Sequence, residues 1–440
     1  MLERGIIERD PTCFGAWTTL KLMRPEWTPM RWPRGWRAPS ALTLLKDTCI
    51  NYLLMDKSAA LDAVAAEARK NGISVGGSDS LPPGASLVSG EWPGIQLSPA
   101  GKVDTVAAGP TGAPWVDSNG WKIRLTAVLH PESTVWVDAP PKGPRLYPQS
   151  YVMAVADSAA RGGRWVISLD DQLAAGITGQ TPAALATWKR ITAAAGFFDA
   201  HNSWPAYLPA ALMGVISDFA GPNEFLGQEL LNLLDRTNEQ YRIIPKANVS
   251  ATSLNGLAAV LYLDTDAPSP DMRKLILGFV EAGGMLIGGP GWRGLPGSPA
   301  KYDEHPRYAS RLLGKGRIAI AKASLSDPYL LANDSVLLIG HRHDLIRFWN
   351  GGAVGSYLTG TPDRKRALAQ ILFYSERGPN LQRGGRGNEV TVWVGGRYRA
   401  AQLWTLDQTT SRPVEMELMS DGVELRLPVV SEYAAVELEA

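Results

Sequence analysis

Apolar runs of strand length alternate with helix-period patterns through the first half of the chain. Residues 49–55, 73–77 and 133–137 are such runs, and residues 59–70 and 181–201 repeat apolar side chains at the helical period. Further strands are predicted at 14–22, 94–98, 103–108 and 163–169, a long loop at 24–39, and further helices at 39–46, 122–129 and 151–161. Strands alternating with helices favour a parallel sheet, and their number favours a (β/α) barrel over an open sheet. With about seven strands before residue 201, this barrel is expected to be incomplete or irregular.

Two further patterns follow. From residue 209 the chain predicts a compact doubly wound α/β unit, with strands at 212–217, 241–245, 258–263, 285–287, 317–322 and 335–339 and helices at 224–236, 272–282 and 364–374. From residue 388 the period changes to two, which is typical of a small antiparallel sandwich. The predicted fold class is therefore α/β with three domains: a barrel-like domain at 1–208, a doubly wound domain at 209–378 and a β-sandwich at 379–440.

Charge and cysteine content exclude several classes of partner and of metal site. Lys and Arg number 44 against 43 Asp and Glu, a net charge of +1, and no basic block occurs, so neither nucleic acid nor a membrane is predicted as a partner. The first residues have no apolar core, so no signal peptide is predicted, and we expect either a cytoplasmic protein or a mature secreted or periplasmic one. Two thiols, Cys13 and Cys49, predict neither a disulfide scaffold nor a zinc site. No metal or cofactor is predicted.

The stretch 109–121, GPTGAPWVDSNGW, carries the strongest candidate chemistry. Its Gly, Pro and Asn residues predict a loop at the carboxyl end of a strand. Trp115 and Trp121 flank Asp117 and Asn119, and an indole beside a carboxylate and an amide suits a sugar ring. The alternative is an ordered turn in which Asp117 caps the following helix and the indoles belong to the core.

Aspartates recur where predicted strands end. Asp56, Asp79, Asp138 and Asp170 all follow strands, and sites in parallel α/β folds form at that end. For any single one of them a cap of the next helix is the favoured alternative, since Asp is a common capping residue. At least one carboxylate of the set is expected to belong to a site.

The order of units resembles certain bacterial glycoside hydrolases. The segments that carry the resemblance are ISDFAGPNEFLGQELLNLLDRTNEQYRIIP, GLAAVLYLDTDAPSPDMRKLILGFVEAGGMLIGGPGW and the tail from VTVWVGGRYRAAQLWTLD onward. In those enzymes, such as the beta-galactosidases with a trimerisation domain, a TIM-barrel-like domain precedes a glutamine-amidotransferase-like domain and a small β-domain. The resemblance implies glycoside hydrolysis and a homo-oligomer formed through the middle domain.

The chain departs from this pattern at two chemical positions. The expected nucleophile turn of the middle domain reads GGPG at 288–291 without Cys, which excludes a glutaminase. Glycosidases need two carboxyl groups, yet no predicted strand end between residues 50 and 171 carries Glu, and Glu91 is assigned to a loop beside Trp92. We therefore predict Asp117 with Asp170 or Asp171 as the catalytic pair.

These residues define the functional hypotheses. The first is a glycoside hydrolase acting on an oligo- or polysaccharide, whose predicted substrate contacts are Trp92, Trp115, Asn119, Trp121, Asp79 and Asp138. The alternative is a non-catalytic glycan-binding or scaffold protein on a degenerate hydrolase fold. A third hypothesis, a metal-dependent hydrolase using the HRHD stretch at 341–344, is less favoured than a polar turn because its spacing does not support a metal site.

Overall fold

The computed structural model describes residues 27–95, 107–108, 113–142, 146–300, 305–340, 343–363, 365–374 and 389–440. The predicted strand at 14–22, Cys13 and His341 lie outside these residues. The described part is a mixed α/β structure built from three sets of sheets.

Six parallel strands form the first set. They are β1 (Pro29–Arg31), β2 (Tyr52–Leu54), β3 (Ser74–Gly76), β4 (Ala85–Ser89), β5 (Thr134–Asp138) and β6 (Arg164–Trp165). Their order is β1-β2-β3 in one sheet and β6-β5-β4 in the other, and a parallel bridge between Met30 and Ile167 joins β1 to the end of β6. Among the described residues β3 and β4 do not pair, so the strands form a ring with one open seam.

Aromatic side chains fill the inside of this ring. Tyr52 on β2 lies edge-on to Trp136 on β5, with ring centroids 5.0 Å apart, although the two strands are not neighbours. Leu54, Val166 and Leu87 belong to the same apolar cluster. The outward side chains join a second, larger core beneath the helices. The ring is thus a packed core whose chemistry is confined to its ends.

Helices cover the outside of the ring. They are α1 (Asp62–Lys70), α2 (Gly120–Leu129), α3 (Pro148–Ala160), α4 (Asp171–Thr178) and α5 (Pro182–Ala200), with 3-10 turns at Pro39–Leu45, Ala59–Leu61 and Trp204–Ala206. An excursion between β4 and α2 contains two short antiparallel pairs, Gly94–Ile95 with Val116–Asp117 and Ala107–Ala108 with Ala113–Pro114. The predicted loop at 109–121 therefore contains short strands and the first residues of α2.

The second set is a seven-stranded sheet. Its main strands are β7 (Met213–Ser217), β8 (Tyr241–Pro245), β9 (Ala259–Tyr262), β10 (Met285–Gly288), β11 (Tyr308–Leu313) and β12 (Gly316–Ala321), in the order β8-β7-β9-β10-β12-β11 with Ser298–Pro299 at the edge. The helices are α6 (Glu224–Arg236), α7 (Ala251–Leu254), α8 (Pro270–Glu281) and α9 (Pro328–Ile339), with 3-10 turns at Gly221–Asn223 and Lys246–Asn248. The five parallel strands β7, β8, β9, β10 and β12 have the spatial order 2-1-3-4-5, which is a doubly wound order.

The third set is a sandwich of two antiparallel sheets. Its strands are β13 (Ile346–Trp349), β14 (Val354–Gly360), β15 (Arg366–Phe373), β16 (Val390–Gly395), β17 (Ala400–Thr405), β18 (Glu415–Leu418), β19 (Gly422–Leu427) and β20 (Tyr433–Glu439), with short edge strands Leu208–Pro209 and Arg412–Pro413. One sheet contains β14, β15, β20 and β17, and the other has the order β13-β16-β19-β18. Their facing apolar side chains form one core.

Two predicted elements were wrong. The helix predicted at 364–374 is strand β15, which lies between β14 and β20, and the strand predicted at 335–339 is the last part of α9. Sequence patterns also missed β4, because the five residues ASLVS carry little periodicity, and β1, which lies in the stretch predicted to be a long loop.

Candidate functional site

An ion pair crosses the carboxyl end of the ring. Arg31 ends β1 and Asp138 ends β5, and Arg31 Nη2 lies 2.5 Å from Asp138 Oδ2. Both side chains lie on the inward side of their strands. Arg31 pairs with Leu54, and Asp138 is two residues beyond Trp136, and both of these apolar residues belong to the cluster inside the ring. Arg31 Nη2 also donates to Ser78 Oγ at 3.3 Å. The second oxygen of Asp138 and Nε of Arg31 are buried and have no hydrogen-bond partner among the described residues. Asp138 can therefore accept, and Arg31 can donate, one further hydrogen bond.

Two further strand-end aspartates carry basic partners at the exposed rim. Asp56 accepts a hydrogen bond from Arg34 Nε at 2.7 Å, and Asp79 binds Lys57 Nζ at 2.8 Å. The Lys57 ammonium lowers the pKa of Asp79 through its hydrogen bond and charge. Exposed pairs of this kind contribute little to stability, because water and salt screen them. Each basic partner balances the negative charge of its aspartate at the carboxyl end of the ring.

Glu91 lies two residues beyond the end of β4, beside Asp138. Ser89 pairs with Asp138 in the ladder, and the next N–H, that of Gly90, donates to the Asp138 carbonyl at 2.9 Å. Asn119 then fixes both backbone groups of Glu91: its Oδ1 accepts from the N–H at 2.9 Å and its Nδ2 donates to the C=O at 2.8 Å. The Glu91 side chain is exposed. Glu91 lies in a loop, as predicted, but that loop follows a strand that was not predicted, so a Glu does lie just beyond a strand end.

A buried carboxylate supports this arrangement. Asp157 on α3 is fully buried, and its Oδ2 accepts from the Asn119 N–H at 2.9 Å. Its Oδ1 accepts from Ser118 Oγ and from Tyr374 Oη, each at 2.7 Å. Arg161 Nη1 lies 3.5 Å from the same oxygen. Asp157 thus joins α3, the start of α2 and the end of β15.

Arg161 is the cation at the centre of the same network. Burial alone would lower the pKa of its guanidinium, but Tyr374, Asp235 and Asp157 outweigh burial and raise it. Burial and the Asp157 charge raise the pKa of the Tyr374 phenol. Asp235 on α6 binds both Arg161 and, at 3.5 Å, Arg124 on α2. The network therefore holds the ring and the second sheet together.

The predicted site residues of 109–121 contact one another and α6. Trp115 Nε1 donates to Asp117 Oδ1 at 3.1 Å, and the Arg236 guanidinium lies 3.7 Å from the Trp115 ring centroid and 3.8 Å from the Asp117 carboxylate. Burial lowers the pKa of Arg236, and Asp117, Asp235 and Glu91 oppose that shift. Asp117 is buried, and one face of Trp115 is covered by the guanidinium. Asn119, with both amide groups bound to protein atoms, occupies the N-cap position of α2.

Asp170 has the geometry of a helix cap. Its Oδ1 accepts from the Leu173 N–H at 2.9 Å, and its Oδ2 accepts from Tyr151 Oη at 2.8 Å and from the Leu146 N–H at 3.1 Å. It is 3% exposed, so these bonds replace water. Asp171 is the exposed first residue of the same helix. The side-chain hydrogen bonds of Asp170 go to Leu173, Tyr151 and Leu146, and its catalytic pairing with Asp117, like that of Asp171, stays a prediction.

The remaining predicted indoles lie in different surroundings. Trp92, next to Glu91, is partly exposed and lies edge-on to Tyr151 and Trp165, with ring centroids 5.2 and 5.0 Å away. Trp121 lies outside the ring on the first turn of α2. There it lines a groove of about 700 Å³ beside β4.

The second sheet carries no thiol at its turns. Residues 288–291 follow β10 as GGPG, and Cys49, the described cysteine, lies in the first set of sheets, where burial raises the pKa of its thiol. At the switch point of the sheet, Ser217 Oγ donates to Asp264 Oδ1 at 2.7 Å and Lys246 Nζ lies 2.9 Å from Asp264 Oδ2. Ser217 is fully buried, so this is a structural hydrogen bond. The described residues include neither a cluster of three His, Cys, Asp or Glu side chains arranged for a metal nor a helix long and apolar enough to cross a membrane.

Three residues of this region were missed from sequence. Arg31 lay in a segment predicted to be a loop, and Glu91 was separated from its strand. Asp157 lies in a helix whose neighbours are apolar, YVMAVADSAA, and a single acidic residue in such a run was a usable signal of a buried polar network.

The chain has partial structural likeness to glycoside hydrolases. Alpha-L-fucosidase isoenzyme 2 from Paenibacillus thiaminolyticus is 11% identical, with a TM-score of 0.48 over 90% of this chain and 78% of that one. The beta-galactosidase from Bacillus circulans sp. alkalophilus is 11% identical, with a TM-score of 0.45 over 70% of this chain and 61% of that one. Exo-beta-1,4-mannosidase Op5Man5 from Opitutaceae bacterium strain TAV5 is 11% identical, with a TM-score of 0.34 over 68% and 92%.

No protein-family model and no curated protein matches the sequence. Because the three TM-scores lie below 0.5, the likeness does not assign an activity. Function is argued below from the residues of this chain.

Proposed function

We propose that the carboxyl end of the ring hydrolyses a glycosidic bond and that Glu91 and Asp138 are its two carboxyl groups. The observation that carries the proposal is the ladder between β4 and β5, in which Ser89 pairs with Asp138 and Glu91 follows two residues later. Neighbouring strands lie about 4.8 Å apart and rise about 3.3 Å per residue, so roughly 8 Å separates the two backbones. Side chains on backbones at this separation can bring their carboxyl groups into the range of about 5–9.5 Å that glycosidases use.

The two carboxyl groups have different surroundings, which suits different roles. Asp138 is paired with Arg31 at the carboxyl end of the ring, which we call the ring mouth. It takes the role of the charged nucleophile or base. Glu91 is exposed and takes the role of the acid. It donates its proton to the glycosidic oxygen as the bond to the anomeric carbon breaks. Asp138 either attacks that carbon or accepts the proton of an attacking water. In the first case Glu91 then takes a proton from a water molecule, which hydrolyses the covalent bond between Asp138 and the sugar.

Trp92 is the proposed sugar platform. It adjoins Glu91 in the chain, and Tyr151 and Trp165 fix its orientation by edge contacts. An indole held in this way can cover the C–H face of a sugar ring while carboxylates bind hydroxyl groups. Asp79 and Trp121 remain proposed substrate contacts. A direct sugar contact by Trp115 or Asn119 is less favoured, because Arg236 covers one face of the first and protein atoms occupy the amide of the second.

The three-domain division is part of the proposal. We retain the barrel-like unit at 1–208 and the amidotransferase-like unit from 209, and we assign the latter a structural and oligomer-forming role because its nucleophile turn contains no Cys. The pairing of β15 with β20 favours a third unit that begins near residue 345 instead of 379.

A second candidate is glycan binding without catalysis on the same fold. The observation that favours it is the neutralisation of the strand ends, where Asp56, Asp79 and Asp138 each have a basic partner. In this candidate Trp92 still contacts sugar, but no carboxyl pair acts on it. The earlier pair of Asp117 with Asp170 or Asp171 is a third arrangement that the same experiment covers.

Purified protein should be screened against chromogenic glycosides and plant and microbial oligosaccharides, together with Glu91→Gln, Asp138→Asn and Asp117→Asn. Circular dichroism and thermal melting establish that each variant is folded. The proposal expects turnover in the wild type and a loss of about 10²–10⁴-fold in the first two variants. Sugar binding without turnover would support the second candidate, and loss confined to Asp117→Asn would restore the third arrangement.

A further inference from the structure

A second cavity lies between the second sheet and the sandwich, far along the chain from Glu91. Its volume is about 590 Å³, within the range of roughly 300–1,000 Å³ typical of small-molecule sites. One wall comes from the ends of α6 and α9, and the other from β13 and the turn after it. Inter-domain junctions are common places for such sites. We call this cavity the junction pocket.

The first wall offers a hydrogen-bond acceptor. Thr237, Asn238 and Glu239 directly follow α6, and Ile339 and Gly340 end α9. The last carbonyl groups of α6 are already bound, since Leu233 accepts from the Thr237 N–H at 3.2 Å and Leu234 from the Glu239 N–H at 3.1 Å. Asn238 Oδ1 is buried and has no hydrogen-bond partner among the described residues, while its Nδ2 donates to the Val354 carbonyl at 3.0 Å. A hydroxyl group of a ligand is a suitable donor to this oxygen.

The second wall offers an aromatic ring. Trp349 ends β13 and is 45% exposed, which is unusual for so large an apolar side chain. Arg347 on the same strand is paired with Asp344 at 2.9 Å, so this wall adds no net charge through that pair. A ring and an open amide oxygen lining one cavity suit a neutral molecule with an apolar face and hydroxyl edges.

Backbone conformation also distinguishes the pocket. Asn238 and Asn350 both line it, and both have left-handed φ values, of 61°. In the described part of the chain only five residues other than Gly have such values. Asn tolerates this conformation better than most residues, yet its occurrence on both walls brings two amide side chains to one cavity.

From these observations we propose that the junction pocket binds a neutral mono- or disaccharide at a site separate from the ring mouth. Trp349 covers the C–H face of the sugar, and Asn350 and Asn238 Oδ1 bind its hydroxyl groups. The inference goes beyond the proposed hydrolysis and shares with it only the class of ligand. An organic cation is the competing ligand, because Glu239 also lines the pocket, and it forms one arm of the test.

Binding can be measured with monosaccharides, which are not hydrolysed. Glucose, galactose, mannose, L-fucose and xylose, with tetramethylammonium as a cation, would be titrated into the full chain by calorimetry and saturation-transfer NMR. Trp349→Ala removes the ring, and Asn350→Gly removes the amide at a φ that Gly adopts freely. Leu418→Ala is the matched control, because Leu418 is an exposed apolar residue at the opposite edge of the same sheet.

The inference expects binding of at least one sugar that weakens about tenfold or more in Trp349→Ala, weakens in Asn350→Gly and is unchanged in Leu418→Ala. Glu91→Gln should leave this binding intact, so a failure of the proposed hydrolysis would not affect the result. Absence of sugar binding, binding of the cation alone, or sugar binding that Trp349→Ala leaves unchanged would overturn the inference.

Discussion

The side-chain amide of Asn119 binds both backbone polar groups of Glu91, at 2.9 and 2.8 Å. Asp157 in turn accepts hydrogen bonds from the backbone and side chain of Asn119. A carboxyl group exposed at the ring mouth is therefore positioned by a buried network on helix α3. In the proposed hydrolysis Asn119 acts through Glu91 and has the role of a positioning residue.

Replacement of Asn119 by Ala should destabilise the protein and reduce turnover together. It leaves the N–H and C=O of Glu91 without their partners, which we expect to cost about 2–4 kcal/mol for two lost hydrogen bonds. Urea denaturation measures the free energy of unfolding. Asn248→Ala, on an exposed turn, is the control and should remain within about 0.5 kcal/mol of the wild type. Equal effects of the two substitutions would remove the positioning role.

Asp170 and Asp171 provide a matched pair on one helix. Asp170→Ala removes a buried cap that accepts three hydrogen bonds, so we expect a loss of about 2–4 kcal/mol. Asp171→Ala removes an exposed charge in the first turn and should cost less than about 1 kcal/mol. Thermal and urea unfolding distinguish these values. Loss of turnover in a folded Asp171→Ala variant would instead give Asp171 a catalytic role.

Asp117→Asn separates two assignments of the site. Asp117 accepts from Trp115 and lies 3.8 Å from Arg236, whose side chain is 8% exposed, so the substitution weakens a buried ion pair. We expect a loss of roughly 1–3 kcal/mol in unfolding free energy and nearly unchanged turnover per folded molecule. Rates should be normalised to the folded fraction. A stable variant without turnover would assign the catalysis to Asp117.

Buried tyrosines predict a loss of stability at alkaline pH. Burial raises the pKa of Tyr151 and of Tyr374 above the ordinary value of 10.0. Above pH 10 the unfolded chain therefore releases protons that the folded chain keeps, so the folded state loses stability as pH rises. Each such phenol contributes up to about 1.4 kcal/mol per pH unit.

The free energy of unfolding from urea denaturation should stay nearly constant up to about pH 10 and then fall with this slope up to about pH 12, and the urea midpoint should fall with it. Tyr374→Phe cannot ionise, so its slope should be shallower, even though it loses the hydrogen bond to Asp157 at neutral pH. A midpoint that stays constant across this range would contradict the burial argument.

Sequence patterns were sufficient where periodicity was strong. Residues of β16, β17, β19 and β20 alternate with period two, and α6 begins and ends at the predicted residues. Strand β15 was predicted as a helix because RALAQILF contains good helix formers. Its place between two strands outweighs that local preference. Residues 335–339 failed because a short apolar run does not distinguish a strand from a buried helical turn.

The candidate site was harder to predict from the sequence than the fold was. Asp138 was predicted at a strand end, where it lies. Glu91 depended on β4, and Arg31 depended on β1, and both strands are too short to show a period. For Asp170 the alternative reading as a helix cap agrees with the structure. Contacts such as Asn119 with Glu91 join residues 28 positions apart, which single-sequence patterns do not encode.

The most direct measurement is the turnover of the best chromogenic glycoside by the wild type, Glu91→Gln and Glu132→Gln. Glu132 lies on an exposed turn before β5 and controls for loss of a carboxyl group away from the ring mouth. The account predicts that Glu91→Gln folds normally and loses about 10²–10⁴-fold in kcat/KM, while Glu132→Gln matches the wild type. A folded Glu91→Gln enzyme with wild-type turnover would contradict it.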